Sequence, residues 1–238
     1  NRILFRGQAN AAWPLSTTLE RRTPEKYDVL KYLIEAAYPL NEIESVSGKR
    51  WDVPSTPELR TLVKTSQDPM RVFLPCYPYL VYLRQYGFPS PLLDWTASPY
   101  VAAYFACCER PASEEVAVFA YVEAPSGGKA LEAGKPMISL QGPYTTTDAR
   151  HFAQKACYTV ATEWSRERER HYFCSHEHVF DASNDDQDLL VKIVIPSHYR
   201  LDILRELGDY NINHFTLFQT PEALVQTMAV RYFDLREE

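Results

Sequence analysis

The sequence predicts a single α+β domain in which a helical front half packs on a mixed or antiparallel sheet. Three observations support this fold class. Helix starts of the Thr-Pro or Ser-Pro type recur in the first half, where proline fits the first turn of a helix. Runs rich in β-branched and aromatic residues, typical of strands, gather in the second half. Helices and strands do not alternate as they do in βαβ units, so a doubly wound parallel sheet is not expected.

Local signals place the individual elements. A short first strand, ILFRG, precedes helices that start at Thr23 and Thr56, a helix that ends at Gly87, and an apolar helix capped by Ser98. Further strands are predicted in EEVAVFAYVEA, ACYTVATEW and DLLVKIVIP. HYRLDILRELGDY is predicted to be a helix, HFTLFQ a short extended segment, and TPEALVQTMAVRYF a closing helix capped by Thr220. No repeat or low-complexity tract divides residues 1–238, which we interpret as one domain.

Composition and charge argue against several classes of function. The 238 residues carry a formal net charge of −6, so a broad surface for nucleic acid or anionic membrane is not indicated. The five cysteines are scattered and odd in number, which argues against a disulfide framework and favours a reducing, cytoplasmic location. No apolar stretch is long enough to span a bilayer, so no membrane partner is expected.

Familiar catalytic signatures are missing, and one candidate metal cluster is weak. The sequence contains no Walker A loop, G-x-G-x-x-G or G-x-S-x-G motif. HYFCSHEH brings together His171, Cys174, His176 and His178, all of them zinc-ligating residue types. Their spacing matches no standard zinc finger, and on a strand His176 and His178 would point to one side. A polar loop is the alternative, and we expect no metal.

Two polar sets stand out within apolar surroundings. Arg6 lies between Phe5 and Gly7 in the first strand, although arginine is rarely buried unless it is paired. The triplet 94–96, Asp-Trp-Thr, comes directly before the apolar helix. A carboxylate, an indole and a hydroxyl can balance charge, stack a planar ring and orient a sugar hydroxyl, although Asp94 could equally be a cap or turn residue. We predict that both sets line one cleft.

Several motifs resemble the FRG domain, a bacterial family named after its Phe-Arg-Gly signature. They are FRGQ with the following W-P-L and ERR, QYG-P---LLDWT-SP-VAAYFA, RHFAQKACYT, and VKIVIP with ILRELGDYNINHFTLF. The resemblance runs in the family's order from Phe5 to about Phe218. This chain departs from the usual pattern where it has Gln85 in place of histidine, Ser90-Pro91 in place of Thr-Arg, Ala156 in place of glycine, and Gln219 in place of proline. These departures argue against a histidine or a second arginine in the site.

The layout is also distantly similar to that of ADP-ribosyltransferases, and this resemblance implies an ADP-ribosyltransferase-like fold that uses NAD. In that superfamily an arginine holds the phosphate or ribose of NAD, an aromatic residue packs the nicotinamide, and a late glutamate promotes transfer. Gly7 would leave room for the nucleotide against the strand. The implied binding residues are Arg6, Gly7, Gln8, Trp95, Thr96 and Thr159, and the implied catalytic residues are Asp94 and Gln154.

The identity of the catalytic carboxylate stays open at this level. Gln154 lies where a late strand could place the superfamily's glutamate, but an amide carries no charge. Asp94 is our preferred substitute, and Glu163 and Glu222 are alternatives. The implied function is ADP-ribosylation of a protein or nucleic-acid target by an intracellular toxin or phage-defence effector, with an antitoxin or flanking domain as a candidate partner. The alternatives are a non-catalytic module that binds a nucleotide or nucleic acid, and an interaction domain in which Arg6 and Asp94 form a structural salt bridge.

Overall fold

The computed structural model describes residues 2–23, 25–65, 68, 72–111, 113–129, 134–142, 145, 147–182 and 187–235. Within these residues the chain forms ten α-helices and an eight-stranded antiparallel sheet, which confirms the predicted α+β class. The strands are β1 (Ile3–Gln8), β2 (Tyr27–Asp28), β3 (Leu93–Thr96), β4 (Glu115–Glu123), β5 (Met137–Gln141), β6 (Ala156–Ser165), β7 (Arg170–Phe173) and β8 (Asp188–Pro196). The helices are α1 (Val29–Ala37), α2 (Leu40–Ser47), α3 (Thr56–Thr65), α4 (Tyr77–Gln85), α5 (Pro99–Cys107), α6 (Ala149–Ala153), α7 (His176–Ala182), α8 (Arg200–Asp209), α9 (His214–Phe218) and α10 (Pro221–Ala229).

The predicted helix caps are formed in two clear cases. The side chain of Ser98 accepts a hydrogen bond from the backbone N–H of Val101 at the start of α5, and Thr220 does the same for Ala223 in α10. The predicted start of the first helix at Thr23 is wrong. Asp28 caps α1, because its side chain accepts from the Lys31 N–H, and the chain just before it pairs as β2.

Three other predictions of local structure are corrected. HFTLFQ forms the short helix α9, which begins with a capping box between Asn213 and Thr216. The triplet 94–96, in which Asp94 was considered as a cap or turn residue, lies in strand β3. His176 and His178 lie in helix α7 and not on a strand.

The sheet runs in the order β2-β7-β6-β3-β1-β4-β8, with β5 also paired to β6. Helices α1, α3 and α4 pack over β6 and β7 in one buried cluster that includes Tyr158 and Val160. Helices α5 and α8 pack over β1 and β4 in a second cluster that includes Val116 and Val118. A third cluster, which contains Trp95, lies on the other side of the sheet. None of the helices in the described part of the chain has the length and apolar character needed to cross a membrane.

The sheet opens between its two central strands. Phe5↔Thr96 is the single register pair between β1 and β3 in the described part of the chain, whereas β1 pairs with β4 along its whole length from Ile3 to Gln8. Beyond Phe5↔Thr96, β1 and β3 form no further register pair in the part of the chain that the structure describes. This opening positions the candidate site.

Candidate functional site

A cleft of about 650 Å³ lies at the opening between β1 and β3. Its volume falls within the range of about 300–1,000 Å³ that is usual for small-molecule sites. It is lined by Phe5, Arg6, Gly7, Gln8, Ala9, Trp13, Pro14, Ser16, Arg21, Arg84, Gln85, Asp94, Trp95, Thr96, Phe105, Cys108, Glu109, Arg150, Gln154, Ala156, Tyr158 and Phe218. The prediction that Arg6 and the 94–96 segment share one cleft is confirmed.

Two arginines converge on Asp94 inside this cleft. Arg6 Nη1 donates to the backbone carbonyl of Asp94 at 2.9 Å and lies 3.8 Å from Asp94 Oδ2. Arg84, from the last turn of α4, donates through Nη2 to the same carboxylate oxygen. The side chains of Arg6 and Arg84 are 17% and 18% exposed, and that of Asp94 is 37% exposed. The carboxylate is therefore the more accessible partner.

Arg6 carries its charge in an environment that disfavours it. Burial lowers the pKa of the Arg6 guanidinium, the charge of Asp94 acts to raise it, and the nearby charges of Arg84 and Arg21 lower it further. Arginine nevertheless stays protonated in proteins. The cost of burying this charge is reduced by any additional anion that enters the cleft.

The lining of the cleft is positive although the protein is acidic. Four arginines and two carboxylates line it, which gives a formal charge of +2, against −6 for the whole chain. Arg21 donates to the Ser16 carbonyl at 2.8 Å. Arg150 donates to the Gln85 carbonyl and stacks over the Tyr86 ring, 4.3 Å from its centroid. Such a local concentration of guanidinium groups attracts anions.

Gln8 adds a buried polar group to the same wall. Its Nε2 donates to the Pro14 carbonyl at 3.2 Å, and its side chain is almost completely buried. Gln8 Oε1, Arg6 Nε and Arg84 Nε are buried without a hydrogen-bond partner among the described residues. Native proteins leave few such atoms unpaired, so this wall of the cleft retains unused hydrogen-bonding capacity.

Thr96 and Gln154 connect β3 to the start of β6. The Thr96 hydroxyl donates to the Gln154 carbonyl at 2.7 Å, and Gln154 Nε2 donates to the Leu217 carbonyl at 3.1 Å. Gln154 caps the C-terminus of α6 and is not part of the strand on which the sequence predicted it. It does line the cleft, as predicted.

Gln154→Ala is expected to lower the free energy of unfolding by only about 0.5–1.5 kcal/mol, the contribution of one partly exposed hydrogen bond. Urea unfolding measures this change. A loss well above this range would show that Gln154 is mainly a structural amide.

Two predicted binding residues lie outside the accessible part of the cleft. Trp95 contributes to the wall, but its indole is 2% exposed and lies 5.3 Å from the Tyr121 ring. Its Nε1 donates to Thr159 Oγ1 at 2.8 Å, and Thr159 is fully buried and does not line the cleft. Successive side chains of a strand point to opposite faces, so Trp95 faces away from Asp94 and Thr96. The expectations that Trp95 stacks a ligand and that Thr159 contacts one are corrected.

The close packing of α5 on β1 explains why residue 7 is a glycine. A Cβ atom at this position would lie 2.6 Å from the Ala106 nitrogen and closer still to the Ala102 carbonyl oxygen, both in the backbone of α5. The missing side chain makes room for this helix. Gly7 also lines the cleft, and its place next to a nucleotide stays a prediction.

Two candidate site residues, Trp13 and Arg84, were not predicted from the sequence. Trp13 is 48% exposed and lines the cleft, so it is better placed than Trp95 to stack a flat ring. Arg84 is the second arginine of the site, which the departures from the family pattern argued against. It comes from α4 and not from the Ser90-Pro91 position, and only the packing of α4 on the sheet could have revealed it.

Of the carboxylates considered from the sequence, Asp94 lines the cleft and the other two do not. Glu163 pairs with Lys26, and Glu222 lies in the first turn of α10. The second carboxylate of the cleft lining is Glu109, which is exposed. Asp94 is therefore the acidic group held closest to the arginines.

The fold and the cleft together define an α+β protein whose antiparallel sheet opens onto an arginine-lined site. Residues 1–115 match the family model described as the FRG domain, which confirms the predicted FRG resemblance over that part of the chain. The matched part contains Arg6, Arg84 and Asp94, whereas Gln154 and Tyr158 lie beyond it. No curated protein and no solved structure matches the chain.

Proposed function

We propose that the cleft binds NAD and that the protein transfers the ADP-ribosyl group of NAD to a macromolecule. The observation that carries this proposal is the convergence of Arg6 and Arg84 on one side of a positively charged cleft. Planar guanidinium groups bind phosphate oxygens in paired, charge-assisted hydrogen bonds. The analogy with the ADP-ribosyltransferase layout concerns the fold alone and adds only secondary support.

The other parts of the ligand have matching groups in the cleft. Trp13 offers an exposed aromatic face for the nicotinamide or the adenine. Gln154 lines the cleft with a partly exposed amide that can orient a ribose hydroxyl. Thr96 is 4% exposed, and its hydroxyl supports Gln154 by donating to the Gln154 carbonyl. NAD contains two phosphates, two flat rings and two sugars, so a site that binds it needs groups that recognise each of these three kinds of moiety.

Asp94 is the group proposed to promote bond cleavage. The bond between the nicotinamide nitrogen and the ribose carbon breaks, its electron pair leaves with nicotinamide, and the ribose acquires oxocarbenium character. An ionised carboxylate stabilises that positive charge, much as it does in glycoside cleavage. A nucleophile of the acceptor then bonds to the ribose carbon and releases its proton.

Binding and chemistry are tested separately. Thermal unfolding with and without NAD or ADP-ribose measures binding, because a ligand that binds only the folded state raises Tm. Incubation of NAD labelled in its adenylate part with macromolecular fractions, together with measurement of released nicotinamide, tests transfer. Binding without nicotinamide release would favour a non-catalytic nucleotide-binding module. No response of Tm to either nucleotide would contradict the proposal.

Arg6→Lys is expected to weaken binding of ADP-ribose by about 1–3 kcal/mol, or roughly 5- to 160-fold, because lysine keeps the charge but loses the planar fork. Tm should change little, since Asp94 keeps its contact with Arg84. Isothermal titration measures the affinity. Arg205→Lys is the control, because Arg205 pairs with Asp202 on the surface of α8 and should leave binding unchanged. Equal affinities of the two variants would count against Arg6 as a phosphate ligand.

A further inference from the structure

A single carboxylate oxygen of Asp94 contacts both cleft arginines. Asp94 Oδ2 accepts from Arg84 Nη2 and lies 3.8 Å from Arg6 Nη1. The other oxygen of the carboxylate has no hydrogen bond among the described residues. Neither guanidinium therefore forms the two-fold parallel pair that an arginine and a carboxylate can form at their best geometry.

Both guanidinium groups are left with unused donors. Each carries five N–H donors, and the Nε of each is buried without a partner among the described residues. The further contact of Arg6 is to the Asp94 backbone carbonyl. One carboxylate oxygen and one carbonyl are thus the acidic and polar partners of two partly buried cations. A diphosphate would offer several acceptor oxygens with more negative charge.

Asp94 is also the partner that the cleft leaves most accessible. Its side chain is about twice as exposed as either arginine, at 37% against 17% and 18%. It lines the same cleft as both arginines, so an anion that reaches the guanidinium groups from the cleft meets Asp94 there. Two negative groups next to the same cations repel each other, and the weaker ligand is displaced.

We infer that Asp94 is an internal anion that occupies the Arg6–Arg84 pair until the phosphates of the ligand displace it. The inference rests on the proposed function, because it concerns regulation of the same cleft. Displacement has two consequences. The ligand must compete with Asp94 for the arginines, which weakens its binding, and the Asp94 carboxylate is released from its cations only when the ligand is in place. The group proposed to stabilise the oxocarbenium charge is then freed by substrate binding itself.

If Asp94 simply contacted the ligand, its removal would change the affinity for the ligand in the opposite direction. A carboxylate that accepts hydrogen bonds from ribose hydroxyls would add to affinity, and its removal would weaken binding. A carboxylate that competes with the ligand reduces affinity, and its removal strengthens binding. The direction of the change in affinity therefore separates the two roles.

The test measures binding of inorganic pyrophosphate and of ADP-ribose by isothermal titration, at fixed ionic strength, to wild type, Asp94→Asn and Glu109→Gln. Asp94→Asn should bind both probes about tenfold or more tightly than wild type, because two buried guanidinium groups lose their internal anion. Glu109→Gln is the matched control. It removes the same charge from the same cleft, but the Glu109 carboxylate is exposed and pairs with no arginine among the described residues, since Arg200 donates only to the Glu109 backbone carbonyl. Its affinity should rise by less than about threefold, because exposed charges are screened.

Binding by wild type with equal or weaker binding by Asp94→Asn would overturn the inference and leave the proposed site standing. An equal gain in Asp94→Asn and Glu109→Gln would also overturn it, since the effect would then be general electrostatics. Failure of all three proteins to bind either probe would remove both the inference and the proposed function. Nicotinamide release is a separate measurement, so a cleft that binds pyrophosphate as expected without cleaving NAD refutes only the transfer chemistry.

A second measurement uses the wild-type protein, in case Asp94→Asn does not fold. A crystal structure at saturating pyrophosphate should show the anion against Arg6 and Arg84, with the Arg84–Asp94 contact broken. Pyrophosphate bound beside an intact Arg84–Asp94 contact would overturn the inference, and so would pyrophosphate bound away from both arginines.

Discussion

Gly7→Ala is expected to lower the free energy of unfolding by at least about 3 kcal/mol, because overpacking against backbone atoms cannot be relieved by a change of rotamer. The new Cβ would fall 2.6 Å from the Ala106 nitrogen and closer still to the Ala102 carbonyl oxygen. Helix α5 would have to move away from β1. The buried contacts between this helix and the strands beneath it, which include Val116 and Val118, would then be lost in part.

The matched control for this prediction is Gly208→Ala. Gly208 lies in α8, and a Cβ there would meet no atom within 4 Å. Alanine is favoured over glycine inside a helix by about 1 kcal/mol, and by less near a helix end. Urea unfolding of the two variants should therefore give shifts of opposite sign. A Gly7→Ala protein as stable as wild type would show that α5 does not press on β1 as closely as described.

The signals that predicted the fold correctly are local ones. A serine or threonine followed by proline fixes the start of a helix through one side-chain hydrogen bond, and Ser98 and Thr220 both do so. Long runs of β-branched and aromatic residues gave β4, β6 and β8. These patterns work because the interaction that produces each element lies within a few residues of it.

The failures depend on contacts between distant segments. Strand β3 has only four residues, and its conformation is set by pairing with β6 more than sixty residues later. The pleat of that strand turns Trp95 away from the cleft and Asp94 towards it, and a sequence of three polar or aromatic residues does not say which of them faces which way. HFTLFQ alternates like a strand, but the Asn213 capping box and packing of Leu217 in the core make it a helix.

The candidate site was predictable only in part, because local sequence patterns mark some of its residues and not others. The sequence marked Arg6 and Asp94 because a charged residue in an apolar segment needs a partner, and the structure brings them together. Arg84 lies near the end of an ordinary helix, where a basic residue is common. Its role depends on where α4 packs, so no local pattern revealed it. Gly7 was recognised in the sequence as a point of close approach, and the backbone of α5 is one structure that approaches it.

A buried chain of hydrogen bonds supports the rear of the cleft wall. Trp95 Nε1 donates to Thr159 Oγ1, and Thr159 Oγ1 lies 3.0 Å from His176 Nε2. His176 Nδ1 lies 3.3 Å from Glu20 Oε1. The consistent assignment has Thr159 donating to Nε2 and Nδ1–H donating to Glu20. His176, considered above as a zinc ligand, is fully buried within this chain.

Thr159→Val should lower the free energy of unfolding by about 2–4 kcal/mol, because it keeps the shape of the side chain but leaves the Trp95 N–H and the His176 Nε2 buried without partners. Thr162→Val is the control on the same strand. Thr162 is 1% exposed, and its hydroxyl is buried without a hydrogen-bond partner among the described residues. Valine there removes an unsatisfied polar group, so stability should stay the same or rise. Urea unfolding measures both variants. Similar losses in the two would mean that valine is simply poorly accommodated in β6, and no loss in Thr159→Val would show that the chain from Trp95 to Glu20 does not stabilise the cleft wall.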